Sequence, residues 1–290
     1  MKKHLLVCLL ALALASLCML PSRVQAAEET HNHCTCGADH VSIGVHTTDS
    51  SSWTKWKALT PDSNGHVTWP EGGNYYYLTG DVELTETWVV HMTSPIVLCL
   101  NGHNITMKVS GSAIEVDGTS AGINASLVIT DCTGTGTITH AEGRNGSAVK
   151  VCGFGSFTMY GGTITGNHAN GSGGGVCIEG TNGSFTMYGG TITKNSATGS
   201  GGGVYVDGKR SSFTMYGGTI TNNSAKNSGG GVYVGNETQT YVWVGGNAQI
   251  AGNTVGGKTD SGICFSASNQ RLSVKNKLIT DARIVIDNDN

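Results

Sequence analysis

Ser156-Phe-Thr-Met-Tyr-Gly-Gly-Thr-Ile-Thr-Gly-Asn167 recurs almost unchanged from Ser184 to Asn195 and from Ser212 to Asn223. The leading aromatics, Phe157, Phe185 and Phe213, are 28 residues apart, and Tyr241 takes the same step once more in a worn copy. Between copies lies a second recurring element: Gly175-Val-Cys-Ile178, Gly203-Val-Tyr-Val206 and Gly231-Val-Tyr-Val234. Looser versions are Ala148-Val-Lys-Val151 and Gly262-Ile-Cys-Phe265. A period of this length marks an array of small units, each too small to bury its own apolar face.

Alternation within a unit assigns the faces. In Phe157-Thr-Met-Tyr160 a period of two puts Phe157 and Met159 on one side and Thr158 and Tyr160 on the other. Leu127 and Ile129 occupy the Phe and Met positions in an earlier copy, so that side points inward. Ile138, Ile164, Ile192 and Ile220 are the lone apolar residues of short polar strands and also point in, as do Val176 with Ile178, Val204 with Val206 and Val232 with Val234. Each unit thus has three short strands with glycine-rich joints. Glycine and β-branched residues exclude a helical repeat, and a propeller blade needs four strands in a longer unit. The expectation is an all-β chain forming a single-stranded parallel β-helix of about seven coils, running from Ile96 to a strand near Leu272. The usual chirality of parallel connections makes it right-handed. Asn167, Asn195, Asn223 and Asn253, just beyond the third strand type, are expected to form an internal amide ladder, with surface turns as the other reading.

Composition agrees with a rod and narrows its setting. The chain has 44 glycines, clustered and not at every third position, which excludes collagen. Lys2 and Lys3 precede an apolar run from Leu5 to Leu20, followed by Val24-Gln25-Ala26-Ala27, the pattern of a secretory signal peptide over residues 1–27, with a retained anchor as the alternative. Without that segment the formal charge moves from −3 to −6 through loss of Lys2, Lys3 and Arg23. No basic cluster remains, so nucleic acid is not an expected partner. No second long apolar run follows, so no membrane span is expected after signal removal. Residues 28–74 read as a leader and cap, and 75–290 as the β-helix, with regular repeats at about 147–255.

At this point Phe-Thr-Met-Tyr-Gly-Gly-Thr-Ile-Thr-Gly-Asn with Gly-Gly-Gly-Val-Tyr-Val resembles the right-handed parallel β-helix repeats of secreted and surface proteins of Gram-positive gut bacteria. It is also similar to repeats of polymorphic outer membrane proteins. Tyr75-Tyr-Tyr-Leu-Thr-Gly-Asp81 and Cys99-Leu-Asn-Gly-His103 resemble the first coils of the same surface proteins. The resemblance implies a pectate-lyase-like solenoid with an extracellular or cell-surface, adhesin-like role. It is specific for fold and weak for activity, because one superfold hosts many functions. The ending Ile284-Val-Ile-Asp-Asn-Asp-Asn290 lacks a Leu-Pro-x-Thr-Gly-type motif, so the expectation is a soluble secreted product or a stand-alone piece of a surface system.

Four groups carry candidate chemistry. In His31-Asn-His-Cys-Thr-Cys-Gly-Ala-Asp-His40, the residues Cys34, Cys36 and His40 are candidate structural zinc ligands. Secretion equally permits disulfides there, and the segment also reads as a leader with incidental residues. Trp53, Trp56 and Trp69 are expected to plug the open end of the rod, with a carbohydrate platform as the alternative. Cys177 and Cys264 share a repeat position three coils apart and cannot bridge, whereas Cys99 and Cys132, on or beside strands of adjacent early coils, are a better candidate disulfide pair. Buried single thiols are the plainer reading of all four.

Glu179 and Asp207 share a turn position one coil apart, with Asp117 two coils before Glu179. They are the weak candidates for a polysaccharide-active acid pair or a calcium site. Two outward threonines recur in Thr137-Ile-Thr139, Thr163-Ile-Thr165, Thr191-Ile-Thr193 and Thr219-Ile-Thr221, a pattern resembling ice-binding solenoids but equally a plain consequence of β propensity. Tyr160, Tyr188 and Tyr216, with Tyr205 and Tyr233 on another strand type, form the preferred binding face for glycans or surface proteins. The preferred function is therefore non-catalytic binding without a cofactor, ahead of an enzyme, a purely structural rod or ice binding.

Overall fold

The computed structural model describes residues 56–287, apart from 70–74, 120–123, 260, 268–269, 271 and 280. The chain divides into units Met1–Trp53 and Thr54–Asn290, and every described residue belongs to the second. The expected signal peptide, Trp53, and the candidate ligands Cys34, Cys36 and His40 lie outside the described residues. Among those described, every regular element is a strand, and no helix is long and apolar enough to cross a membrane.

The strands form a right-handed parallel β-helix. One regular coil runs through Ser156–Met159, Thr163–Thr165, His168–Ala169 and Val176–Ile178 before returning to Ser184–Met187. Ser184–Met187 lies on Ser156–Met159 in register, Phe185 opposite Phe157 and Met187 opposite Met159. Repetition of this step builds a first sheet of nine strands from Lys57–Leu59 to Leu272–Leu278. A second sheet of eight runs from Val82–Leu84 to Arg283–Ile284, and a third of seven from Trp88–Val90 to Ile263–Phe265. Nine stacked strands span roughly 38 Å at the usual strand spacing.

The inward positions are those expected from the alternation. Phe157, Phe185, Phe213, Leu127, Ile164, Ile192, Ile220, Val204 and Val232 are all fully buried in one continuous core. The three phenylalanines stack at centroid separations of 4.9 and 5.1 Å, and each buried ring contributes about 2–3 kcal/mol by transfer. At the corner between the first and second sheets Gly162, Gly190 and Gly218 take φ values of 82°, 85° and 88°. A Cβ on Gly190 would lie 2.7 Å from the Gly162 carbonyl oxygen, so both the left-handed turn and the close stacking of coils require glycine.

The regular coils contain one strand type beyond the expected three. His168–Ala169, Ser196–Ala197, Ser224–Ala225 and Thr254–Val255 stack in parallel, and Lys258–Thr259 joins antiparallel as the fifth strand of this short fourth sheet. The asparagine ladder organises it. Asn167 Nδ2 donates to Asn195 Oδ1 at 2.8 Å, Asn195 to Asn223 at 3.0 Å, and Asn223 to Asn253 at 2.9 Å. The same oxygens accept the backbone N–H of Asn167, Asn195 and Asn223. All four asparagines are buried, so the ladder satisfies a corner that water does not reach. The next two residues then extend alongside the neighbouring coil, as in the bond from Ser196 N to Asn167 O. Two-residue polar strands carry too little alternation to be visible as a separate strand type.

The first sheet starts at Lys57–Leu59, earlier than the repeat pattern marks it, with Leu59 paired to Leu78. Trp69 stacks on Trp88 at 3.7 Å and packs against the core at the first rung of the third sheet. The Glu83 backbone N–H, at the edge of the second sheet, donates to Gly65 O. The segment 61–69 therefore lies against two of the sheet edges. Trp56 packs edge-on against Tyr75 at 5.2 Å.

Candidate functional site

The outer surface of the third sheet is chemically the most varied part of the rod. Its outward column runs Glu115, Lys150, Cys177, Tyr205, Tyr233, Cys264 by direct pairing. Beside it Asp117 pairs with Cys152, and Glu179 and Asp207 follow Ile178 and Val206 at the equivalent position one and two coils on. Inward Val and Ile residues lock this register, because a slip by one residue would bury the charged column.

Each carboxylate of this face has a partner. Lys150 Nζ lies 3.1 Å from Glu179 Oε2. Burial opposes the ammonium, but the hydrogen bond and charge of Glu179 outweigh it and hold Lys150 above its ordinary pKa. Tyr205 Oη donates to Asp207 Oδ2 at 2.7 Å; burial first, and then this bond, push the phenol well up. His91 Nδ1 lies 3.2 Å from Asp117 Oδ2, whose carboxyl is held low chiefly by the hydrogen bond from Thr119. Cys152 donates to Glu115 at 3.6 Å, and burial and the Glu115 charge push its thiol up to about 12. Burial likewise raises Cys177 well above its ordinary value. Neither has the lowered pKa of an activated nucleophile.

Tyr205 and Tyr233 stack at 5.3 Å with only 5° between their planes. The glycine that ends this turn column, Gly235, leaves the space into which the Asp207 carboxylate folds; a Cβ there would overlap it. The weak acid pair of the sequence, Glu179 and Asp207, thus stands at one turn position, but the two side chains serve different partners. Lys150 is the residue that sequence reasoning missed. The alignment of Val149-Lys-Val151 with Val176-Cys-Ile178 carried the signal, since it puts Lys150 one rung before Cys177 and diagonal to Glu179.

The other tyrosines sit elsewhere. Tyr160, Tyr188 and Tyr216 follow the first-sheet strands and stack at 4.7 and 5.1 Å. Partial burial, and then the neighbouring phenol, raise the pKa of Tyr160 and Tyr188. Stacking covers the ring faces, so this ladder offers edges and hydroxyls to a ligand. The threonines of the second sheet are in register, Thr163 with Thr191 and Thr219, Thr165 with Thr193 and Thr221, all half-buried and outward. Among the described residues no three His, Cys, Asp or Glu side chains converge as a metal site.

No family model matches this chain, and no curated protein and no solved structure matches it. The β-helix therefore rests on the chain's own register. The resemblance to adhesin-like and outer-membrane repeat proteins extends only to the general kind of solenoid.

Proposed function

We propose that this chain is a secreted or cell-surface rod that binds glycans without turning them over, and that the third-sheet face is its binding surface. The observation that carries the reading is the stacked Tyr205–Tyr233 pair, flanked by Asp207 on one side and by the Lys150–Glu179 pair along the same column. Sugars present apolar C–H faces edged by hydroxyl pairs. The half-buried edges of these two rings, next to carboxylate acceptors and an ammonium donor, complement both. Because coils repeat at about 4.8 Å, successive tyrosines and acids form a linear track suited to an extended polymer. The first-sheet tyrosines, among which Tyr188 is exposed, serve as a second surface for hydroxyl contacts.

The test is retention of the purified chain on a panel of plant, bacterial and mucin glycans, with product release assayed in parallel. Binding without product, weakened about tenfold or more by Tyr233→Ser or Asp207→Asn, supports the reading. Retention unchanged by both substitutions sinks it. A second reading, a polysaccharide-active enzyme, draws on the placement of Lys150 against Glu179 with Asp207 one coil on. Release of product that disappears in Glu179→Gln or Asp207→Asn selects it over non-catalytic binding.

A further inference from the structure

The sulfurs of Cys99 and Cys132 lie 3.0 Å apart, inside the distance at which two unbonded sulfur atoms rest in contact. Cys99 ends the strand Ile96–Cys99 and pairs with Thr130 of the next coil, and Cys132 follows two residues later. Neither backbone depends on the sulfurs for its position. Leu100 N donates to Thr130 O at 2.9 Å. Between them Asp131 accepts the Gly102 N–H at 2.8 Å and the Gly136 N–H at 2.7 Å, tying both turns together. Cys99 is buried and Cys132 exposed, so the pair reaches from core to surface.

We propose that Cys99 and Cys132 form a disulfide that clamps the coil of Ile96–Cys99 to the coil of Ser126–Thr130. The oxidant is a small-molecule or protein disulfide. The Cys132 thiolate attacks one of its sulfurs, forming a mixed disulfide and expelling one thiol. Cys99 then loses its proton and attacks the Cys132 sulfur, expelling the second thiol. One disulfide is reduced to two thiols as the intramolecular bond forms, so electrons and protons balance. The Cys99 thiol is held far above its ordinary pKa, first by its bond to Cys132 and then by burial, which makes exposed Cys132 the sulfur that opens the exchange.

The position of the clamp has a physical reason. The asparagine ladder and the phenylalanine stack start with Asn167 and Phe157 and run toward the carboxyl end. The coils of Cys99 and Cys132 precede both, where Leu98 and Leu127 fill the interior. A covalent tie there supplies the coil-to-coil fastening that the ladder provides later. It also closes a loop of 33 residues, long enough for a substantial constraint on the unfolded chain.

Peptide mapping of the full mature chain after equilibration with oxidised glutathione tests this. Trypsin cuts after Lys57, Lys108 and Arg144, which places Cys99 and Cys132 in separate peptides with no other cysteine in either. The expected result is one species joining peptides 58–108 and 109–144. The oxidised chain should melt higher than Cys132→Ser by on the order of 5–10 °C, with reduction abolishing the difference. Alkylation of both cysteines, a glutathione adduct on Cys132 with Cys99 still free, or a link from either to another cysteine overturns the proposal. Equal melting of a cross-linked chain and its reduced form overturns the clamp.

Discussion

His140 Nδ1 stands 2.7 Å from Asn167 Oδ1, and the other ring nitrogen stands 2.8 Å from the Gly111 carbonyl oxygen. Buried His140 thus ends the asparagine ladder and fastens it to the preceding coil. The ladder is a continuous buried polar column from His140 to Asn253, in which Asn167, Asn195 and Asn223 each donate to the next asparagine. Such a column is stable while complete and costly when broken, because the groups left behind are shielded from water.

Asn195→Ala should therefore destabilise the rod by about 3–5 kcal/mol, more than a single surface hydrogen bond would suggest. It deprives the Asn167 backbone N–H and the Ile164 carbonyl of the partner they have in Asn195. Denaturant unfolding read by circular dichroism checks this. A loss under about 1 kcal/mol would mean that water enters the corner.

Gly190→Ala tests the corner between the first and second sheets. The added methyl meets the Gly162 carbonyl oxygen and the end of the Met159 side chain while φ is 85°. The cost expected from left-handed strain and crowding together is about 2–4 kcal/mol. Gly171→Ala is the control, since its Cβ would meet nothing within 4 Å, and its melting temperature should stay within a few degrees of the parent.

Asp117 links acid to stability. Its carboxyl pKa is lowered in the folded chain, so the folded state favours the charged form. The stabilisation is fully present above the unfolded value, about 3.9, and is lost as pH falls through the lowered folded value. The stability difference between the parent and Asp117→Asn should be present at pH 5 and shrink below about pH 4. Parallel denaturant curves across that range read it; a difference growing toward low pH would contradict the assignment.

Gly235→Ala should act on the proposed binding face with little effect on the core. A methyl at Gly235 displaces the Asp207 carboxylate from its bond with Tyr205. Glycan retention should fall as it does for Asp207→Asn, while melting changes by no more than about 1–2 kcal/mol equivalent. Full retention in Gly235→Ala with loss in Asp207→Asn would show that the carboxylate works from another position.

The 28-residue period by itself determined the stacked β architecture, the inward residues, the amide ladder and the tyrosine stacks. Identical residues at identical steps bring like onto like, so these contacts are readable along one column. The fourth sheet was hidden in Ser196–Ala197 and its copies, because two polar residues show no period. Contacts between columns, and between coils of unequal length, needed the tertiary structure. Lys150 reaches Glu179 across a diagonal and Trp69 stacks on Trp88 from outside the repeat; the sequence put Cys99 and Cys132 on adjacent coils, and packing set their sulfurs 3.0 Å apart. Periodicity specifies which residue lies above which; the side-chain reach and turn geometry that join unlike neighbours are decided only when the coils pack.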